Sequence, residues 1–153
     1  RQAMAGTPYR IESQRWLSPL GIPCVAPPWG EITAINLATG DTVWHHPLGQ
    51  ISFGPKGLLK TPAAWGSPSI GGPIVTGGGL IFMAGSMDAK FRAFDTETGR
   101  ELWRANLPAP GMAVPMTYVA GPQNRQFVVI AAGGNTLAAS KLDDAIIAYA
   151  LKE

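Results

Sequence analysis

Apolar and polar positions alternate over short stretches of this chain, and nearly every stretch is closed by glycine, proline or asparagine. Residues 30–37, GEITAINL, alternate as a half-buried strand; ATG turns the chain, and residues 42–48 read as the next strand. Farther on, PIVTGGGLIFMAG gives a short strand, a glycine turn at 77–79 and an apolar strand over 80–84. SMDAK is a turn, FRAFD (91–95) a strand, TETG a turn and ELWRANL (101–107) a strand. These segments predict an up-and-down antiparallel set of roughly four short strands. VPMTYVA, the turn GPQNR, the β-prone QFVVIAA (126–132) and AIIAYAL (145–151) follow. Residues 1–29 and 49–72 are rich in Pro and Gly and hold no stable period. The nearest helix candidate, residues 137–145, lacks an N-cap with a staple and is not read as a helix.

One arrangement occurs twice. AINLATGDTVW (34–44) and AFDTETGRELW (93–103) carry Ala, Thr, Gly and Trp at identical offsets. A turn between two strands needs a residue tolerant of positive φ, supplied by Gly40 and Gly99. Thr39 and Thr98 can brace it by local hydrogen bonds. Ala34 and Ala93 leave room for a large ring, so Trp44 and Trp103 are expected to lie flat between neighbouring sheets, each burying about 150–250 Å². Repetition at this length suggests propeller blades. A third unit begins at Ala148-Tyr149 and stops before any Thr-Gly-x-x-x-Trp. A blade lacking its last strand must borrow one, so the chain is expected to be a piece of something longer.

Composition narrows the picture. The 153 residues suffice for one ordinary domain, and Gly 19 with Pro 14 argues for many turns over long helices. Charged residues make up only 14% and the net charge is +2. No Lys/Arg-rich run marks a nucleic-acid or anionic-membrane surface, and no apolar run approaches a membrane span. The single cysteine, Cys24, excludes an internal disulfide and is expected to be a buried, inert thiol.

The motif A-x-(D/N)-x-x-T-G-x-x-x-W resembles the tryptophan-docking motif of the quinoprotein dehydrogenases, eight-bladed propellers carrying pyrroloquinoline quinone (PQQ). LSPLGIPCVAPPWGEITAINLATG, WGSPSIGGPIVTGGGLIFMAGSMDAKFRAFDTETGRELW and PMTYVAGPQNRQFVVIAAGG are similar to the C-terminal part of the membrane-bound glucose/quinate/shikimate group. The resemblance implies an all-β fold of antiparallel four-stranded blades, here a partial propeller of about two to three. Residues 1–29 would lead irregularly into the first blade, and residues 30–153 would form the propeller part with docking motifs at 34–44 and 93–103. It further implies a periplasmic enzyme on the bacterial inner membrane, held by an N-terminal anchor. Such an enzyme oxidises a sugar or cyclic polyol of the glucose, quinate or shikimate class and passes electrons to ubiquinone. PQQ and a calcium or magnesium ion sit on the propeller axis. In the family the metal ligands and the catalytic Asp base lie in earlier blades, and no segment here matches them; no catalytic or metal residue is assigned. A non-enzymatic, protein-binding scaffold with similar repeats is the alternative, and WGSPSIGGP and PMTY favour the dehydrogenase. The 153 residues alone are expected to be a poor enzyme, and their unpaired strand edges to favour self-association.

Two places are candidates for cofactor contact. Trp65, in AAWGSPSIGG, stands where related quinoproteins bring a Trp to the edge of PQQ; a flat ring with one N–H donor suits a planar carboxylated quinone, and packing is the competing reading. The second place is GGNT. Gly133 and Gly134 let backbone approach the axis closely, and Asn135, with Thr136 beside it, can offer donor and acceptor to a substrate hydroxyl. Glucose-oxidising relatives tend to have His there, so Asn135 leaves room for quinate, shikimate or another polyol. A loop Asn holding a turn is the competing reading.

Other chemistry is excluded by spacing. His45 and His46 are adjacent on a strand and point to opposite faces, so one packed and one solvated histidine is expected, not a metal pair. Asp143-Asp144 reads as a turn into the last strand, and Asp88 as an Asx turn. The glycine runs lack the Gly-Lys-Ser/Thr ending of a phosphate loop. With two histidines, both in one strand, no Ser–His–Asp set can be drawn.

Overall fold

The computed structural model describes residues 2–12, 14–136, 138 and 140–151. The residues 137–145 passed over as a helix include two positions, 137 and 139, that lie outside this set. The strands are β1 (Gln2–Ala3), β2 (Arg10–Ile11), β3 (Glu31–Ile35), β4 (Thr42–Pro47), β5 (Ser52–Phe53), β6 (Leu59–Lys60), β7 (Ile74–Val75), β8 (Leu80–Met83), β9 (Lys90–Asp95), β10 (Glu101–Asn106), β11 (Met116–Ala120), β12 (Arg125–Ala132) and β13 (Ala145–Tyr149). All pairings are antiparallel. The middle sheet has the order β10-β9-β8-β7; β3-β4 precede it and β11-β12-β13 follow it.

The expected strands are therefore present within a residue or two of the sequence boundaries. The two irregular segments hold more order than their composition suggests. β1-β2 form a small hairpin within residues 1–29, β5-β6 another within 49–72, and short 3₁₀ turns cover Pro55–Gly57 and Ala63–Trp65. Strands of two residues show no alternation to read, which is why the pattern missed them.

Each sheet buries itself against the next. Ile32, Trp44 and Leu48 of the first pack against Ile81, Met83 and Phe94 of the middle sheet. On the other side Ala84, Phe91 and Leu107 meet Val128, Ile130 and Ala132 of the third. Phe91 and Phe94 lie three residues apart on β9 and so face opposite neighbours. Burial of Phe91, Arg92, Ala93 and Phe94 in succession marks β9 as the strand covered on both faces. Burying side chains of this size is worth about 1.5–3 kcal/mol each, so the interfaces between sheets hold the assembly together.

The repeated motif is the join between sheets. Gly40 and Gly99 take φ of 81° and 68°. Thr39 and Thr98 accept at Oγ1 from the N–H of Asp41 and Arg100, both at 3.3 Å. Ala34 pairs with Trp44 and Ala93 with Trp103, and in both copies the register slips just before the tryptophan, bulging Val43 and Leu102. A bulge re-aims the next side chain, and neither was anticipated from the sequence. Trp44, 9% exposed, lies against Gly99 of the next sheet and donates its Nε1–H to the Thr96 carbonyl at 3.1 Å. His46 stacks on Trp44 at 5.6 Å and also reaches the Thr98 carbonyl, at 3.4 Å.

Trp103 departs from the expectation. It is 39% exposed and makes edge contacts with Phe91 at 6.0 Å and Tyr149 at 5.1 Å. Among the described residues no fourth strand follows β13, so no Thr-Gly turn meets this ring as the 96–99 turn meets Trp44. The histidines also differ in degree: both remain largely exposed, His45 beside Glu31 at 3.3 Å and His46 leaning on Trp44. Cys24 is exposed, not buried, because its segment runs over the surface.

The second turn carries a charge that the first does not. Asp95 Oδ1 accepts from the Thr98 N–H and Oγ1–H, both at 2.8 Å, and from the Glu97 N–H at 3.0 Å. These bonds, led by the Thr98 N–H, hold its carboxyl below the ordinary 3.8. Its contribution is full above the ordinary carboxylate range and is lost as pH falls through the lower folded-state value. Asp95→Asn, which copies Asn36 of the first motif, is expected to lower neutral-pH stability slightly and to flatten the loss below about pH 4. Unfolding midpoints measured against pH check this.

Candidate functional site

The short turns 36–41, 76–79, 96–100 and 121–124 lie at one end of the sheets. The longer connections 48–73, 84–89 and 107–115, with the described part of 133–144, lie at the other. Alternation of direction in antiparallel sheets imposes this division. Both cofactor-contact candidates therefore fall at the same end.

Here two Trp-Gly dipeptides clasp each other. Trp29 N–H donates to the Trp65 carbonyl at 2.7 Å, Leu48 N–H to Gly30 at 2.9 Å, and Ser67 N–H to Leu48 at 2.7 Å. A Cβ on Gly30 would fall 1.9 Å from the Ser67 carbonyl oxygen, and one on Gly66 2.2 Å from that of Gly30. No side chain fits at either position, which explains the glycine after each tryptophan. The indoles meet edge to face, centroids 5.4 Å apart at 73°. Trp29 is tied at its ring as well, Nε1–H to the Val25 carbonyl at 2.8 Å. Trp65 ends the Ala63–Trp65 turn, is 36% exposed, and its Nε1–H has no hydrogen-bond partner among the described residues. Buried Ser67 extends the junction to the β8–β9 connection, accepting the Met87 N–H at Oγ, 3.1 Å.

Asp88 in that connection is more than an Asx turn. Its carboxylate, only 5% exposed, pairs with the Arg92 guanidinium, itself 7% exposed, and accepts from Ser86 Oγ at 2.8 Å. Arg92 Nε lies 3.3 Å from Glu101, whose other oxygen meets Arg104. The network pins the 84–89 connection to β9 and β10. The sequence hid it because Asp and Arg four apart across a turn look like solvated charges. Outside it runs an open groove of about 300 Å³, lined among others by Asp88, Pro108, Pro110, Ser140 and Lys141. Lys141 is committed to the Pro108 carbonyl at 2.8 Å and to Asp143 at 3.6 Å.

The second candidate is a self-satisfied loop. Gly134, φ 66°, donates its N–H to Pro110 at 2.8 Å, and a Cβ there would lie 1.9 Å from the Lys141 carbonyl oxygen. Asn135 receives the Ala138 N–H at Oδ1, 3.4 Å, and donates its own N–H to Ser140 Oγ at 2.8 Å. Thr136 is exposed. Asp143 takes its expected place at the turn into β13, accepting the Asp144 N–H at 3.0 Å. Residues 133–136 and Trp65 share an end of the molecule, reached from different sheets. Among the described residues no three His, Cys, Asp or Glu side chains gather to hold a metal ion.

A four-stranded antiparallel sheet packed between a two-stranded and a three-stranded one, docked to the first through a Thr-Gly turn and with the long connections at one end, defines a segment of a β-propeller. The family described as "Glucose/ethanol/alcohol dehydrogenase, beta-propeller domain", the PQQ family, matches residues 1–128, and the chain belongs to it. It is 44% identical over 98% of its length to the quinate/shikimate dehydrogenase (quinone) of Acinetobacter baylyi. It is 41% identical over 99% to quinoprotein glucose dehydrogenase A of Acinetobacter calcoaceticus, and 44% over 99% to the glycerol dehydrogenase large subunit of Gluconobacter thailandicus. The chain spans 19%, 19% and 21% of these relatives' lengths. Among solved structures a europium-containing methanol dehydrogenase matches 68% of the chain and 15% of its own, with 28% identity and a TM-score of 0.50. The quinohemoprotein alcohol dehydrogenase of Comamonas testosteroni shares the fold, with a TM-score of 0.51 over 73% of this chain and 14% of its own.

The residues present can be weighed against PQQ. A half-exposed indole with an unused N–H donor, held on a rigid clasp, fits the edge of a planar carboxylated quinone. The 133–136 loop fits less closely, since its glycine and its Asn135 Oδ1 already serve the loop.

Proposed function

We propose that the chain is the C-terminal part of a PQQ-dependent dehydrogenase that oxidises a sugar or cyclic polyol of the glucose, quinate or shikimate class, with electrons passed to ubiquinone. The enzyme works on the periplasmic side of the bacterial inner membrane, through an N-terminal anchor. Residues 30–153 contribute propeller blades, residues 1–29 lead into them, and calcium or magnesium is held by residues elsewhere. When bound, PQQ accepts the electrons of the oxidised alcohol. Trp65 supplies a flat wall and one N–H for its edge. Asn135, with Gly134 and Thr136, is the second place for contact with the cofactor or a substrate hydroxyl. The observation that supports this most directly is Trp65: of the two clasped indoles, it is the one left open to a ligand.

The test is a full-length apo-protein loaded with PQQ and calcium or magnesium. Expected are stoichiometric PQQ binding and dye reduction with quinate or shikimate exceeding that with glucose, while the 153 residues alone stay inactive under the same conditions. A full-length protein that binds no PQQ is a scaffold and not a dehydrogenase. Activity in the isolated 153 residues would overturn the division of labour.

A further inference from the structure

We infer that Trp29 is the positioning residue of Trp65, fixing the plane in which that indole meets the cofactor, an assignment that rests on the reading of Trp65 as a cofactor wall. The two rings are unequal. Trp29 is anchored at its ring by Val25, at its backbone by the Trp65 carbonyl, and on its C-terminal side by Gly30 pressed against Ser67. Trp65 has no hydrogen bond at its ring among the described residues, and its backbone stands on one 3₁₀ turn. Its ring orientation is therefore set by packing, and the edge-to-face contact with Trp29 at 5.4 Å and 73° is the aromatic contact that does so. An indole already ordered before the ligand arrives spares the cost of freezing it on binding. The close approach of Gly30 to Ser67 and of Gly66 to Gly30 locks the two backbones together, so the segments that carry the rings keep a fixed spacing.

The prediction is a coupling between the two residues, read on PQQ affinity of the full-length apo-protein by fluorescence titration. Trp65→Ala is expected to weaken PQQ about tenfold, and Trp29→Leu, which keeps apolar bulk but loses the aromatic edge, about 3–10-fold. Trp29→Phe restores an edge and is expected to stay within about twofold. In the Trp65→Ala background Trp29→Leu should add nothing. An unchanged affinity in Trp29→Leu overturns the assignment while leaving the Trp65 reading intact; so does an equal loss in both backgrounds. An unchanged affinity in Trp65→Ala removes the Trp65 reading itself. A second readout needs no drastic variant. The paired indoles should give a far-ultraviolet exciton couplet that Trp29→Phe abolishes and that keeps its sign and strength when PQQ binds the native protein; a couplet that appears or inverts only on PQQ binding counts against the proposal.

Discussion

Gly99→Ala is expected to destabilise the 153-residue chain by about 2–5 kcal/mol, combining left-handed strain with overpacking. At φ 68° an alanine is strained in itself. Its Cβ would also fall 2.5 Å and 2.6 Å from Cε3 and Cδ2 of Trp44, and 2.7 Å from His46. The indole would have to lift from the turn, breaking the Nε1–H bond to Thr96 and opening the join between the first two sheets. Gly40 is the control. It has the same motif position and a φ of 81°, but nothing lies within 4 Å of its Cβ position, so Gly40→Ala is expected to cost only about 1–2 kcal/mol. Chemical unfolding of both variants measures the difference, and a red-shifted Trp44 emission in Gly99→Ala alone identifies its origin. Equal costs would mean that the turn matters only for its own geometry and not for docking.

Arg92→Met is the second large effect. It leaves the Asp88 carboxylate, 5% exposed, without its cation, and takes from Glu101 one of its two. Loss of one partner from a buried pair costs about 3–5 kcal/mol, because the remaining charge stays desolvated. Asp88→Leu combined with Arg92→Met removes both charges and is expected to be less damaging than Arg92→Met alone. Double-mutant unfolding energies decide it; a double variant worse than either single would assign the stability to the pair's attraction and not to avoided desolvation. Local loosening should appear first in the 84–89 connection, as faster amide exchange at Met87, whose N–H is held by Ser67.

The strands and the docking turns were legible because their information is local. Alternation over five to eight residues marks a half-buried strand, and Gly40 and Gly99 declare positive φ by having no side chain. The family resemblance was legible for the same reason, carried by contiguous motifs. The clasp at Trp29 and Trp65 left a trace that spacing alone did not interpret: a Trp-Gly dipeptide occurring twice, with Gly30 required by the backbone of Ser67 and Gly66 by that of Gly30. Asp88 and Arg92 left less, since a buried pair and a solvated pair have the same letters.

Chain chemistry alone was enough for the all-β character, the turn positions and Trp44 as a join, since each follows from steric limits on a few neighbouring residues. Contacts between sheets settled the rest. They put Trp44 on Gly99 while leaving Trp103 half open, drew Asp88 inward to Arg92, left Cys24 at the surface, and set Trp29 against Trp65. Burial belongs to the packed assembly: a ring or a charge is desolvated only by what the fold brings against it from far along the chain.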